Sequence, residues 1–189
     1  MIRIALLAAV LLGSLLVVDR AQPVARCTAP PISRDALNAA IALPVTPFPE
    51  NEITPGRTPV DDATSAQLRN LLRQLDACAN AGEPLRVWSL YAPDYLARLF
   101  QVQGPFDEAT YAAYATPQPG GTGRGARIAS IDAIWKVRDG LYAVEAVKRY
   151  PSVPMPKRLI FWIEAADGRS VRACAHCGEP LTNERKKRS

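Results

Sequence analysis

From Asp61 to Ala81 the apolar residues Leu68, Leu71, Leu72, Leu75, Cys78 and Ala79 recur at helical spacing. One face of a helix is therefore apolar, while Arg69, Arg73, Gln74 and Asp76 take the other. Asp61 or Asp62 can cap this helix, and Gly82 is placed to end it. Pro84 can open a second helix over LRVWSLYA, because proline is tolerated in a first turn. Pro93 and Asp94 break and restart it as DYLARLF. A further short helix is predicted from Asp107 to Ala115, and PQPGGTGRG (117–125) reads as a flexible loop.

The period then changes from 3.6 to 2. Ala129, Ile131, Ala133, Trp135 and Val137 alternate with more polar positions, which predicts a strand. By that alternation Asp132 shares a face with Ile128, Ser130 and Ile134, opposite Ile131 and Trp135. Arg138-Asp139-Gly140 supplies a hairpin turn, since Asp-Gly reaches positive φ cheaply, and Leu141 to Tyr150 is the return strand. The apolar run RLIFWIEAA, a turn at Asp167-Gly168 and a last strand from Arg169 to Ala175 complete the pattern. Helices first and an antiparallel meander afterwards predict an α+β domain.

Upstream of residue 61 the pattern is different. Met1-Ile2-Arg3 is a short positive start, and Ile4 to Val18 is a run of 15 apolar or small residues. That is short for a membrane span, which needs about 20, and suits the apolar region of a secretory signal. Val24-Ala25-Arg26-Cys27 partly matches a lipoprotein box, with Arg26 where a small residue belongs, and an uncleaved anchor is the other alternative. Each reading puts the bulk of the chain outside the cytoplasm, either secreted or membrane-tethered by its N-terminus. Eight of the 17 prolines lie between Pro23 and Pro59. Ser33 can cap one short helix from Asp35 to Leu43, but the remainder has no usable period and reads as an extended tether. The expected organisation is a signal peptide or anchor at 1–26, a Pro-rich extended linker at 27–60, a folded domain at 61–178 and a basic disordered tail at 179–189.

The net charge of +5 changes this picture little. Arg185, Lys186, Lys187 and Arg188 against Glu184 place +3 of it in the tail, which leaves +2 elsewhere. A nucleic-acid-binding domain would carry a basic face throughout, so no nucleic acid is expected as partner.

The stretches LLRQLDACANAGEPLRVWSLYAPDYLARLF, RIASIDAIWKVRDGLYAVEAV and LIFWIEAADGRSVRACA, within residues 61 to 175, resemble the nuclear transport factor 2-like superfamily. More narrowly they resemble its secreted bacterial SnoaL-like members. The shared pattern is a first helix ending A-x-A-G, a second helix of the form W-x-L-Y-x-P-D-Y-L, and final hairpins with a D-G-R turn. The resemblance implies a cystatin-like, cone-shaped fold in which N-terminal helices pack on a curved antiparallel sheet around a pocket. One departure is the strand normally found between the second and third helices, for which QVQG (101–104) is the only candidate. The family contains isomerases, dehydratases, cyclases and ligand-binding modules, so fold does not settle function.

Candidate pocket residues are Trp88, Tyr91, Tyr95, Tyr111, Trp135, Phe161 and Trp162, although aromatic residues at such helical and alternate positions are more often core than pocket lining. If the domain is an enzyme, Asp132 and Glu145 are the candidate acid–base groups; both also read as solvent-facing sheet residues. The favoured expectation is a non-catalytic module that binds a small apolar ligand or a partner protein. A small isomerase, hydratase or cyclase is the alternative, and a homodimer through the sheet is a third possibility. No cofactor is expected, and membrane contact only through the N-terminal segment.

RACAHCGEPL (172–181) holds two of the four cysteines and the only histidine. One C-x-x-C is half of a zinc ribbon without its partner, and His176 sits between the cysteines, so no metal is expected. Gly178 follows where haem attachment needs histidine, and no helix long enough to support a redox centre comes after it. Disulfides are the remaining reading for Cys27, Cys78, Cys174 and Cys177. Four cysteines allow three connectivities. In the fold that the resemblance implies, the last strand runs against the first helix, which favours Cys78–Cys174 with Cys27–Cys177.

Overall fold

A computed structural model describes residues 26–45, 58–118 and 125–164, with the backbone of a last strand at 170–175. The helices begin where the sequence supplies caps. Ser33 accepts from the Ala36 amide ahead of α1 (Arg34–Ile41), and Asp61 accepts from the Thr64 amide ahead of α2 (Asp62–Ala81). Asp107 does the same for Thr110 at the start of α5 (Glu108–Ala115). Each carboxylate or hydroxyl satisfies an amide that has no partner in the first turn. Prolines open α3 (Pro84–Trp88) and α4 (Pro93–Leu99), where their missing N–H costs nothing.

The strands form one antiparallel sheet in sequence order: β1 (Thr58–Pro59), β2 (Arg127–Arg138), β3 (Leu141–Arg149), β4 (Lys157–Glu164) and β5 (Ser170–Ala175). β1 is a two-residue edge pairing with Trp135 and Lys136. The chain is thus an α+β protein with four long antiparallel strands. In residues 101–104, the candidate for a further strand, positions 101–103 form a turn instead and none is strand.

Helix α2 lies across one face of the sheet. Its stripe Leu68, Leu71, Leu72, Leu75 and Cys78 packs with Val144 and Ala146 of β3 and with Leu159, Phe161 and Ile163 of β4. A second apolar cluster joins the short helices. Leu37 and Ala40 of α1 meet Leu85, Trp88, Leu96, Phe100 and Phe106.

This second cluster corrects the expected domain boundary. The first part of the 27–60 stretch is not a tether, because Leu37 is fully buried and Ala29 and Ala40 nearly so. Its polar groups are engaged as well. The Ile32 amide donates to the Leu85 carbonyl, and the Asn38 side chain exchanges two hydrogen bonds with the Phe106 backbone. The signal or anchor segment, residues 46–57, residues 119–124 of the predicted loop, the Asp167-Gly168 turn and the basic tail lie outside the described residues.

Irregularities in β2 correct the predicted faces of that strand. Register shifts fall between Ile128 and Ser130 and between Ile131 and Ala133. Each inserts an extra residue, so Ile128, Ile131 and Ile134 all pack against the α2-side core. Strict alternation would have separated Ile131 from the other two. Asp132 is displaced to the opposite face, where Trp135 lies, and no longer shares a side with Ile128 and Ile134.

Candidate functional site

The disulfide is the first feature built from two distant segments. Cys27 is bonded to Cys78, with Cα atoms 4.6 Å apart. This corrects the favoured pairing of Cys78 with Cys174 and of Cys27 with Cys177. The cause is the arm beside α2. Gln74 accepts from the Thr28 amide at 2.8 Å and donates to the Arg26 carbonyl at 3.1 Å. Gln74 and Cys78 lie one turn apart, so the residue between Arg26 and Thr28 is brought to Cys78. Arg86 donates to the Ala29 carbonyl and continues the clamp. Cys174 stands in register opposite Phe161 on β5. Its side chain, His176 and Cys177 lie outside what the structure describes. A disulfide is the chemistry of an oxidising setting such as the space outside the cytoplasm.

The seven candidate pocket residues fall into three sets. Trp88 is at the centre of the helical cluster, with its ring centroid 4.9 Å from Phe100, 5.7 Å from Phe106 and 4.9 Å from Tyr114. Tyr111 packs at the edge of that cluster and donates its hydroxyl to the Ile32 carbonyl. Phe161 belongs to the α2-side core. Tyr91 touches both clusters and meets Tyr95 edge to face at 5.0 Å. Burial pushes both the Tyr91 and Tyr95 phenols up from their ordinary values; Tyr95 and Tyr150 add to the effect at Tyr91, and Arg98 partly opposes it at Tyr95. Both are therefore protonated, hydrogen-bond-donating groups at neutral pH.

Trp135 and Trp162 form the third set, with Ala143, on the sheet face turned away from α2. In-register pairing places Trp135, Ala143 and Trp162 in one row across β2, β3 and β4. The next row on this face is Ala133, Glu145 and Ile160. Glu145 is the one buried charged residue of the described chain, at 9% exposure. It accepts from Arg158, whose guanidinium also approaches Asp132 to 3.9 Å. Asp132 in turn accepts from the Ser130 hydroxyl at 2.7 Å. The two candidate acid–base carboxylates are thus together, as a hairpin neighbour pair implies. The residue missing from the prediction is Arg158, which joins them. Its position after Lys157, two residues before Ile160, was the available signal, because it falls on the same alternating face.

No helix among the described residues is long and apolar enough to cross a membrane. No cluster of three His, Cys, Asp or Glu side chains able to hold a metal occurs among them. No protein-family model, no curated protein and no solved structure matches the chain.

Proposed function

We propose that the chain is an exported, non-catalytic binding module of nuclear transport factor 2-like, SnoaL-like architecture, which holds a small apolar ligand or a partner protein without transforming it. The observation that carries this reading is Arg158. Its guanidinium is committed to Glu145 and reaches toward Asp132, on the sheet face turned away from α2. A general base must reach the proton that it removes. Two carboxylates already bridged by one cation, outside the helix-covered side of the sheet, are poorly placed for that task.

Two further observations support the reading. The Cys27–Cys78 bond agrees with export, as does the positive start followed by the apolar run Ile4 to Val18. Trp88 and Phe161 are spent on core packing, which favours a partner protein over an apolar ligand inside a cone.

The experiment is a titration of the oxidised protein with lauric acid and with a sterol. Thermal unfolding and mass spectrometry of the recovered probe are followed together. Stabilisation with an unchanged probe, retained in Glu145→Gln, supports holding without chemistry. A converted probe, with conversion lost in Asp132→Asn or Glu145→Gln, refutes it.

A further inference from the structure

The end of the sheet where β2 begins and β3 finishes places like charges opposite one another. Arg127 is the register partner of Arg149, and Lys148 is the register partner of Lys157. Directly opposed like charges destabilise a sheet, since the β-carbons of such a pair lie only about 5 Å apart. Lys148 is compensated by Asp76 at 2.6 Å. Arg127, Arg149 and Lys157 form no ion pair among the described residues, and both arginines are exposed. Lys148 and Lys157 approach the Tyr150 ring, at 5.8 and 5.9 Å from its centroid.

These residues border a cleft. Arg127, Arg149 and Tyr150 line a volume of about 400 Å³ together with Gly125, Val153 and the prolines 151, 154 and 156. One wall is set by a close approach: a β-carbon on Gly125 would stand 2.8 Å from the Pro151 ring, and Gly125 has φ +75°. Cations facing each other across one strand pair, beside an aromatic ring and rigid apolar residues, make a receptor with a charged end and an apolar side. Guanidinium groups match the oxygens of phosphate and sulfate in a forked geometry. The volume falls within the range of small-molecule sites, about 300–1,000 Å³, which exceeds a bare ion.

We infer that this cleft binds a small phosphate or sulfate ester. Arg127 and Arg149 hold the oxyanion, and the organic portion lies on Tyr150 and the proline-rich loop. The bound anion relieves the repulsion that the free protein carries. Arg149 follows Glu145 and Val147 on the same alternating face of β3, but Asp132, Glu145 and Arg158 do not line the cleft, so the inference does not rest on the binding-module reading above.

The test uses the full oxidised chain at low ionic strength. Its unfolding midpoint is titrated with inorganic phosphate, with phenyl phosphate and with sodium chloride at matched ionic strength. The expected result is saturable stabilisation by both phosphates beyond that by chloride, with phenyl phosphate binding more tightly. Arg127→Gln/Arg149→Gln, which alters two exposed side chains, weakens both phosphates by about tenfold or more. It also unfolds at a higher temperature than wild type when no anion is present. Tyr150→Ala removes only the preference for the phenyl ester. Arg73→Gln, which removes one exposed charge from α2, leaves all affinities unchanged. Equal stabilisation by chloride and phosphate overturns the inference. So does a double arginine variant that binds phosphate like wild type, whether read by unfolding or by chemical shifts at Gly125 and Tyr150.

Discussion

Asp76 on α2 and Lys148 on β3 form an ion pair at 2.6 Å, with side chains only 14% and 13% exposed. The same carboxylate accepts from the Ile128 amide at the start of β2. One side chain thus joins the long helix to two strands. Asn80, a turn further along α2, extends the clamp by donating to the Ala126 carbonyl and accepting from the Gly125 amide. Removing one member of such a pair leaves the other charge withdrawn from water without a partner. Asp76→Ala is expected to cost about 3 kcal/mol in urea unfolding. Asp76→Leu with Lys148→Met is expected to cost less than either single change, because no charge is then stranded. A double variant as unstable as the sum of the singles would contradict this account.

The Cys27–Cys78 bond closes a loop across 51 residues of sequence. Chain entropy predicts a stabilisation of about 4 kcal/mol for a loop of this size, with measured effects commonly about 2–4. Cys27→Ser/Cys78→Ser should lower stability by that amount and speed amide exchange in α1, whose arm the bond holds against α2. Connectivity is directly readable. A non-reduced tryptic map should contain residues 27–34 linked to residues 74–86. A link from 74–86 to the segment that holds Cys174 and Cys177 would replace it.

The caps set an acid limit on the helices. Hydrogen bonds from the Thr64 backbone and hydroxyl hold the Asp61 carboxyl below its ordinary value, and Thr110 does the same for Asp107. A carboxyl depressed in the folded state contributes stability above the unfolded value near pH 3.8, and the contribution disappears as pH falls through the lower folded value. The difference in midpoint between wild type and Asp61→Asn should therefore be level from about pH 5 to 8 and shrink below about pH 4. A difference that grows on acidification would have the wrong sign.

Gly82 ends α2 in the left-handed conformation at φ 71°. A β-carbon there would meet the Gln118 carbonyl oxygen at 2.5 Å, because the Gln118 amide donates to the Gly82 carbonyl at 2.8 Å. Gly140, in the β2–β3 turn, has φ 72° with open space around it. Both positions carry about 1–2 kcal/mol of left-handed strain on substitution by alanine. Gly82→Ala should exceed Gly140→Ala, since it must also displace the segment after α5. Chevron or equilibrium denaturation of the two variants gives the comparison.

Local chemistry made most of the architecture legible. The stripe Leu68 to Cys78, the caps Ser33, Asp61 and Asp107, and the Asp139-Gly140 turn each act within a few residues, so the sequence alone determined the helices, the hairpin and the α+β order. The sequence also supplied Asp132 and Glu145 as hairpin neighbours. Tertiary structure decided the partner of Cys78, the packing of Leu37 under Trp88, and the side of the sheet on which Asp132 stands. None of these can be read locally. The disulfide depends on an arm bound to Gln74 across 46 residues. The face of Asp132 depends on two bulges that shift the register by one residue each, and a slip of one residue reverses every side chain beyond it. The opposition of Arg127 to Arg149 has the same origin, since only the register of the folded hairpin brings together two cations 22 positions apart in the chain.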